Sequence, residues 1–286
     1  MRLAPKAVRW GERNRAGTDS LAGLGQNQPV PIDPHAIPLS VAARPELTGG
    51  RRIGVLVSHG FTGSPASITP WGESLAAHGY AVEVPRLPGH GTTWQELNKT
   101  GWEDWYAEVV RTFDKLDAEN DAVVVCGLSM GGALVLRLAA DRPNRIAGVV
   151  VVNPAVGTQR KDVLLLPVLK HVVGSFPGIA NDIKKPGVEE YGYTKTPLRA
   201  AASMFAGYKQ LRADLPKITA PMLYLRSTVD HVVDGLSERV ILSKVSSRDV
   251  TKTMLEDSYH VATLDNDAPT INAASAEFIA RVTAEE

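Results

Sequence analysis

Ser129 sits in the string Gly127-Leu128-Ser129-Met130-Gly131, after an apolar run at Ala122–Cys126 and before a helix-like segment, Met130–Ala140. A strand that turns sharply into a helix lifts the hydroxyl at the turn above the sheet edge, and small residues on both sides tolerate the crowding. The string alone arises by chance in roughly one chain in ten of this size, so its placement between strand and helix is what marks Ser129 as a nucleophile. A serine hydroxyl needs a base, and the base needs an acid to orient it. In this arrangement the acid and then the histidine follow the serine along the chain.

Three histidines follow Ser129: His171, His231 and His260. His171 lies inside an apolar stretch with no strand end to aim it. His231 neighbours Asp230, and sequence neighbours on an extended chain point apart. His260 lies in the loop after the run Thr251–Leu255 and is the expected base. Asp230 follows the run Met222–Arg226, past a strand's carboxyl end, where ligands and catalytic groups gather in α/β sheets. Its competitor Asp234 reads as the N-cap of the next helix. Asp265 and Asp267 come after the histidine and break the order. The chemistry such a set performs is acyl transfer, which also needs two backbone N–H donors for the oxyanion. Met130, next after the nucleophile, is one. Phe61, in His59-Gly60-Phe61-Thr62-Gly63, is the other, with His59 holding that loop.

Elements must exist to position these groups. Apolar, β-branched runs recur at Ile53–Ser58, Ala81–Val84, Ala122–Cys126, Ile146–Val152 and Met222–Arg226, with a more polar one at Thr251–Leu255 and a short one at Ala36–Val41. Runs that are apolar throughout belong to strands covered on both faces, as in a parallel sheet between helices. Helices are predicted from Pro70, capped by Thr69 and ended at Gly79, and after a Thr100/Glu103 capping box. Further helices are predicted near Met130–Ala140, Gly235–Val245 and Ala268–Ala284. About seventy residues separate Val152 from Met222, far more than a usual connection, and they include the apolar stretch Leu164–Val173. An inserted cap with its own helix is the expectation there, that stretch serving as packed helix or as lip of an entrance.

The 286 residues carry 31 Lys and Arg against 31 Asp and Glu, which argues against a protein built to neutralise phosphates. A single cysteine, Cys126, excludes a disulfide framework and every multi-cysteine metal site, and reads as a buried core thiol. No secretory signal is recognisable among the first residues, and no apolar run approaches the roughly 20 residues needed to span a bilayer. The expectation is a soluble cytoplasmic protein with no nucleic-acid partner.

From about Arg52 onward the chain resembles the α/β-hydrolase family, and within it bacterial monoacylglycerol lipases and related carboxylesterases. The strings that carry the resemblance are HGFTGSP (59–65), PRLPGHGT (85–92), GLSMGG (127–132), VDHVV (229–233) and SYHVATLD (258–265). It implies a mostly parallel central sheet with helices on both faces and a small inserted cap. Composition and the long insertion divide the chain into a flexible tail over 1–35, which has no counterpart in the family, a core over 36–153 and 222–286, and a cap over 154–221. The resemblance also implies Ser129, Asp230 and His260 as triad, Phe61 and Met130 as oxyanion donors, and no cofactor or metal. Relatives carry an Ile, an Asn and a Glu around the glycerol end of the pocket. Ile179 and Glu190 match, while Lys185 stands at the Asn position, a donor-only cation in place of an amide. The implied substrates are monoacylglycerols or short- to medium-chain acyl esters, met in part through a transient membrane contact of the cap. A thioesterase or acyltransferase with the same triad, and a ligand-binding protein on a hydrolase fold, are the alternatives.

Overall fold

In the computed structural model, which describes residues 30–284, alternating strands and helices build a layered α/β molecule. The strands are β1 (Leu39–Val41), β2 (Ile53–Ser58), β3 (Ala81–Val84), β4 (Ala122–Leu128), β5 (Gly148–Val152), β6 (Ser175–Pro177), β7 (Lys195–Pro197), β8 (Met222–Ser227) and β9 (Val250–Leu255). Seven of them form one sheet in the order β1-β3-β2-β4-β5-β8-β9, while β6 and β7 pair separately. Only β1 runs antiparallel to its neighbour in the large sheet.

The continuous apolar character of the central strands follows from their two-sided burial. Successive side chains point to opposite faces, so Val123 and Val125 of β4 enter one core cluster and Val124 and Cys126 the other. Each such side chain contributes about 1.5–3 kcal/mol by leaving water. The helices are α1 (Thr69–Ala77), α2 (Trp94–Leu97), α3 (Trp102–Glu119), α4 (Met130–Asp141), α5 (Leu166–Leu169), α6 (Leu198–Asp214), α7 (Gly235–Lys244) and α8 (Ala268–Val282). Residues of α3, α4, α6 and α7 join the first cluster and those of α1 and α8 the second, one on each face of the sheet.

Several local expectations are corrected. Ile68, not Thr69, precedes α1, and the Thr69 hydroxyl donates to the Pro65 carbonyl at 2.9 Å. The α3 start is set one residue later than predicted: Gly101 precedes it, and its N–H donates to Asp104 Oδ2 at 2.9 Å. The stretch Leu164–Val173 does not form one helix. A 3₁₀ turn over Asp162–Leu165 leads into the single turn α5, with Pro167 in its first turn, and then a turn leaves Val172 exposed. The long helix of the insertion is instead α6. Its buried stripe of Leu198, Ala201, Met204, Tyr208 and Leu211 recurs at helical spacing. Small residues mute that signal, yet they are what the packing needs: a Cβ on Gly207 would lie 2.2 Å from the Trp102 ring.

Residues 1–29, and with them most of the expected tail, lie outside the described residues. From Ile32 the chain is one compact unit. The Asp33 N–H donates to Gly91 O at 2.8 Å, and the His35 ring stacks on Tyr191 at 3.9 Å, so the core begins before residue 36. Among the described residues no helix is long and apolar enough to cross a membrane.

Candidate active site

The turn from β4 into α4 holds Ser129 at φ 56° and ψ −119°. A non-glycine residue there is strained by about 1–3 kcal/mol, and the surroundings must over-determine it. They do so through three hydrogen bonds: Ser129 N–H donates to Val152 O, and Ser129 O accepts from Ala133 N–H and Ala155 N–H. Glycine is required at 131, because a Cβ would come within 2.0 Å of the Ser58 carbonyl oxygen. The outcome is a serine side chain at the floor of a cavity of about 310 Å³ that also receives His260, Gly60, Phe61, Ile179 and Glu190.

His260 follows β9 and is 6% exposed. Its Nδ1 lies 3.0 Å from Asp230 Oδ2, in the loop after β8. The Asp230 side chain is fully enclosed and every lone-pair direction is used. Oδ1 accepts from the Val232 and Val233 N–H groups, and Oδ2 accepts from His260 and, at 2.7 Å, from Arg226 Nη1. Burial by itself would raise this carboxyl. The His260 charge and hydrogen bond, the Val233 N–H and the Arg226 charge outweigh burial and hold it below its ordinary value. Asp234 faces elsewhere, capping α7 through Leu236 N–H and accepting from Thr158 and Gln159.

The loop after β2 is held by two buried imidazoles. The His59 Nδ1 is 2.9 Å from Gly60 O, and its Nε2 accepts from Leu87 N–H at 3.2 Å. Gly60 O and Phe61 N–H belong to one peptide plane, so fixing the carbonyl fixes the N–H. His90 meets His59 edge-on at 4.9 Å, and Trp105 backs both His90 and Phe61. Burial lowers His59 to about 4 and His90 well below 6.5, so both rings are neutral near pH 7. Met130 opens α4, where the first N–H groups of a helix have no intrahelical acceptor. Cys126 is a buried core group whose thiol is pushed up by desolvation.

The residues between β5 and β8 roof the cavity. Ile179 and Glu190 line it, and burial raises the Glu190 carboxyl above its ordinary range. The expectation for Lys185 is corrected. Its side chain is exposed outside the cavity wall, while its N–H donates to Asp265 Oδ1 at 2.8 Å. Three positions earlier, the acidic side chain of Asp182 does line the wall. Its Oδ1 meets His231 Nδ1 at 2.8 Å, and its Oδ2 accepts from the N–H groups of His231 and His260.

Sequence reasoning missed Asp182, Asp265, Asn153 and Arg226. Asp265 is buried and accepts four N–H groups, those of Lys184, Lys185, Tyr259 and Asn266. Asn153, at φ 45°, donates to Ser227 Oγ and His260 O and accepts from Ser227 N–H, joining the ends of β5 and β8 to the histidine loop. The one available signal was the position of Asp265 inside SYHVATLD.

Residues 50–267 match the family described as serine aminopeptidase, S33 (Hydrolase_4). Over 248 residues the chain is 38% identical to a thermostable monoacylglycerol lipase of Bacillus sp. (strain H-257), covering 85% of this chain and 97% of that one. It is 28% identical over 245 residues to a carboxylesterase of Bacillus subtilis (strain 168), covering 85% and 98%. A solved structure from work on LipS and LipT, two metagenome-derived lipolytic enzymes, superposes with a TM-score of 0.83 at 38% identity, covering 88% of this chain and 100% of that one.

Proposed function

The chain belongs to the Hydrolase_4 family of α/β-hydrolases, and from that premise we propose that it cleaves monoacylglycerols and short- to medium-chain acyl esters through an acyl-enzyme on Ser129. It is a serine hydrolase of carboxylic esters, as its near full-length relatives are a lipase and a carboxylesterase; thioesterase and acyltransferase readings are not favoured. The observation that carries the finer reading is the single cavity in which Ser129, His260 and the Gly60–Phe61 peptide meet under the insertion.

His260 takes the proton from Ser129 Oγ as the oxygen attacks the ester carbonyl. Asp230 holds the imidazole by its Nδ1 and stabilises the imidazolium. The Phe61 and Met130 N–H groups receive the oxyanion. His260 then returns the proton to the departing alcohol, and water cleaves the acyl-enzyme under the same base. Leu166, Leu169, Met204 and Phe205 give the cavity an apolar lining suited to the acyl chain. Ile179 and Glu190 bound the alcohol side. The segment 154–221 acts as the cap, and its exposed Leu164, Leu165, Val168 and Val172 suit transient contact with a lipid surface. The cytoplasm is the proposed setting, where a lone thiol such as Cys126 stays reduced.

The test is labelling by a fluorophosphonate together with hydrolysis of monoacylglycerols and 4-nitrophenyl esters of graded chain length. One adduct per chain at Ser129 is expected, and a folded Ser129→Ala protein should lose at least a thousandfold in kcat. Near-parental turnover in Ser129→Ala, or labelling at another serine, overturns the mechanism.

A further inference from the structure

Arg226 is a buried cation with an unusual neighbour. It sits on β8, four residues before Asp230, and is 8% exposed. Its Nη1 donates to Asp230 Oδ2 at 2.7 Å, the same oxygen that faces His260 Nδ1 at 3.0 Å. Its Nη2 donates to Val233 O at 2.7 Å. One guanidinium therefore spans the loop from the carboxylate to the residue three positions on, and shares one acceptor atom with the imidazole.

We propose that Arg226 is a positioning residue of the ester hydrolysis, which fixes the Asp230 loop and offsets the Asp230 charge that faces His260. The inference rests on the triad reading above. A lone buried carboxylate would lend its full charge to the imidazolium. Here an opposite charge at hydrogen-bond distance makes the Asp230–Arg226 pair neutral overall, and the imidazolium gains less from it. A guanidinium is a fixed positive charge, so the offset is permanent.

Other groups face the same imidazole or its partners. From the insertion come Glu190, which couples electrostatically to His260, and Asp182, which accepts the His260 N–H. His231, beside Asp230 in sequence, is engaged by Asp182. Tyr224, two residues before Arg226 on β8, feels the charges of Arg226, Asp230 and Glu238 of α7. None of these shares the Oδ2 atom with His260. Changes confined to Arg226 therefore isolate its own contribution.

The experiment is a kcat/KM profile from pH 5 to 9.5 on a soluble 4-nitrophenyl ester. Arg226→Gln keeps a donor near Asp230 and removes the charge, Arg226→Met removes both, and Arg226→Lys keeps the charge while losing the fork. The two neutral variants should move the acid limb upward by about half to one pH unit, losing roughly three- to tenfold at pH 6 and much less at pH 9. Arg226→Lys should hold the limb near its parental position. Folding of either neutral variant suffices for the test. A limb that stays in place while activity falls equally at every pH would reduce Arg226 to scaffolding and overturn the proposal, as would a Lys variant that shifts as far as the neutral ones. Failure of the triad reading is seen separately, in unmodified protein whose Ser129 is not labelled.

Discussion

The roof over the cavity has two arms that differ in how they are held. The arm around 181–190 is fastened by carboxylates. Asp182 reaches down to His231 and the His260 backbone, and Asp265 reaches up to the N–H groups of Lys184 and Lys185. The arm around 162–179 presents Leu164, Val168, Val172 and Ile179 to solvent, with Leu164 and Val172 each 76% exposed. Charge-assisted hydrogen bonds from a carboxylate to backbone N–H groups are directional and strong, whereas exposed apolar side chains gain nothing until something covers them. One arm thus keeps the histidine loop in register, and the other suits the apolar substrate proposed above.

Removing the shared anchor is the severest way to break this contrast. Asp265→Ala strands N–H donors from both the insertion and the histidine loop, and should cost about 2–4 kcal/mol of stability. Its kcat should fall more than tenfold while KM changes little, as expected when a base is misplaced. Urea unfolding and steady-state kinetics check both. Parental kcat in Asp265→Ala would show that the clamped arm does not position His260.

Acid sharpens the contrast from the side of the core. His59 is held neutral by burial, with its value lowered from 6.5 to about 4. The unfolded chain binds that proton first as pH falls. Stability is therefore complete above about 6.5 and declines through the window down to about 4, by roughly 3 kcal/mol for His59. His90 shifts in the same direction and adds to the loss. Urea midpoints at pH 7.5 and 4.5 measure it. A His59→Gln variant should show a shallower decline, and an identical slope would remove the assignment.

The smallest effects are expected on the apolar arm and at the outward-facing lysine. Leu164→Ser with Val172→Ser should change stability by no more than about 0.5 kcal/mol and leave hydrolysis of a short soluble ester intact. Activity on a dispersed long-chain monoacylglycerol should fall several-fold. Lys185→Asn should leave the ratio of kcat/KM for a monoacylglycerol over the methyl ester of the same acid unchanged. Glu190→Gln should lower that ratio. A ratio that responds to Lys185 and not to Glu190 would reverse the assignment of the alcohol side.

Much of the frame was legible because it is written in local patterns. Continuous apolar runs marked doubly covered strands, and the sheet has them at the expected places. The serine string carried its own turn, since Gly131 is needed where a Cβ would strike Ser58. Helix α6 was not legible, because a stripe that includes alanine and glycine has little hydrophobic contrast even though Gly207 packs tightly on Trp102. The apolar stretch at Leu164–Val173 misled for the opposite reason. Strong hydrophobicity without a partner to bury it does not sustain a long helix.

By itself, then, the order of residues determined the chemistry on offer and the layered frame: a candidate nucleophile on a strand-to-helix turn, a candidate acid and base past later strands, and a long insertion. Only the tertiary structure decided which charges act on that set. Arg226 finds Asp230, Asp182 finds His231 and His260, and Asp265 finds Lys184 and Lys185, with Lys185 itself turned to solvent. All but the first of these contacts join residues far apart in the chain, and each depends on the direction of a side chain. A linear pattern records spacing along an element; where a carboxylate ends up is settled by how the elements pack and by which buried donors would otherwise go unpaired.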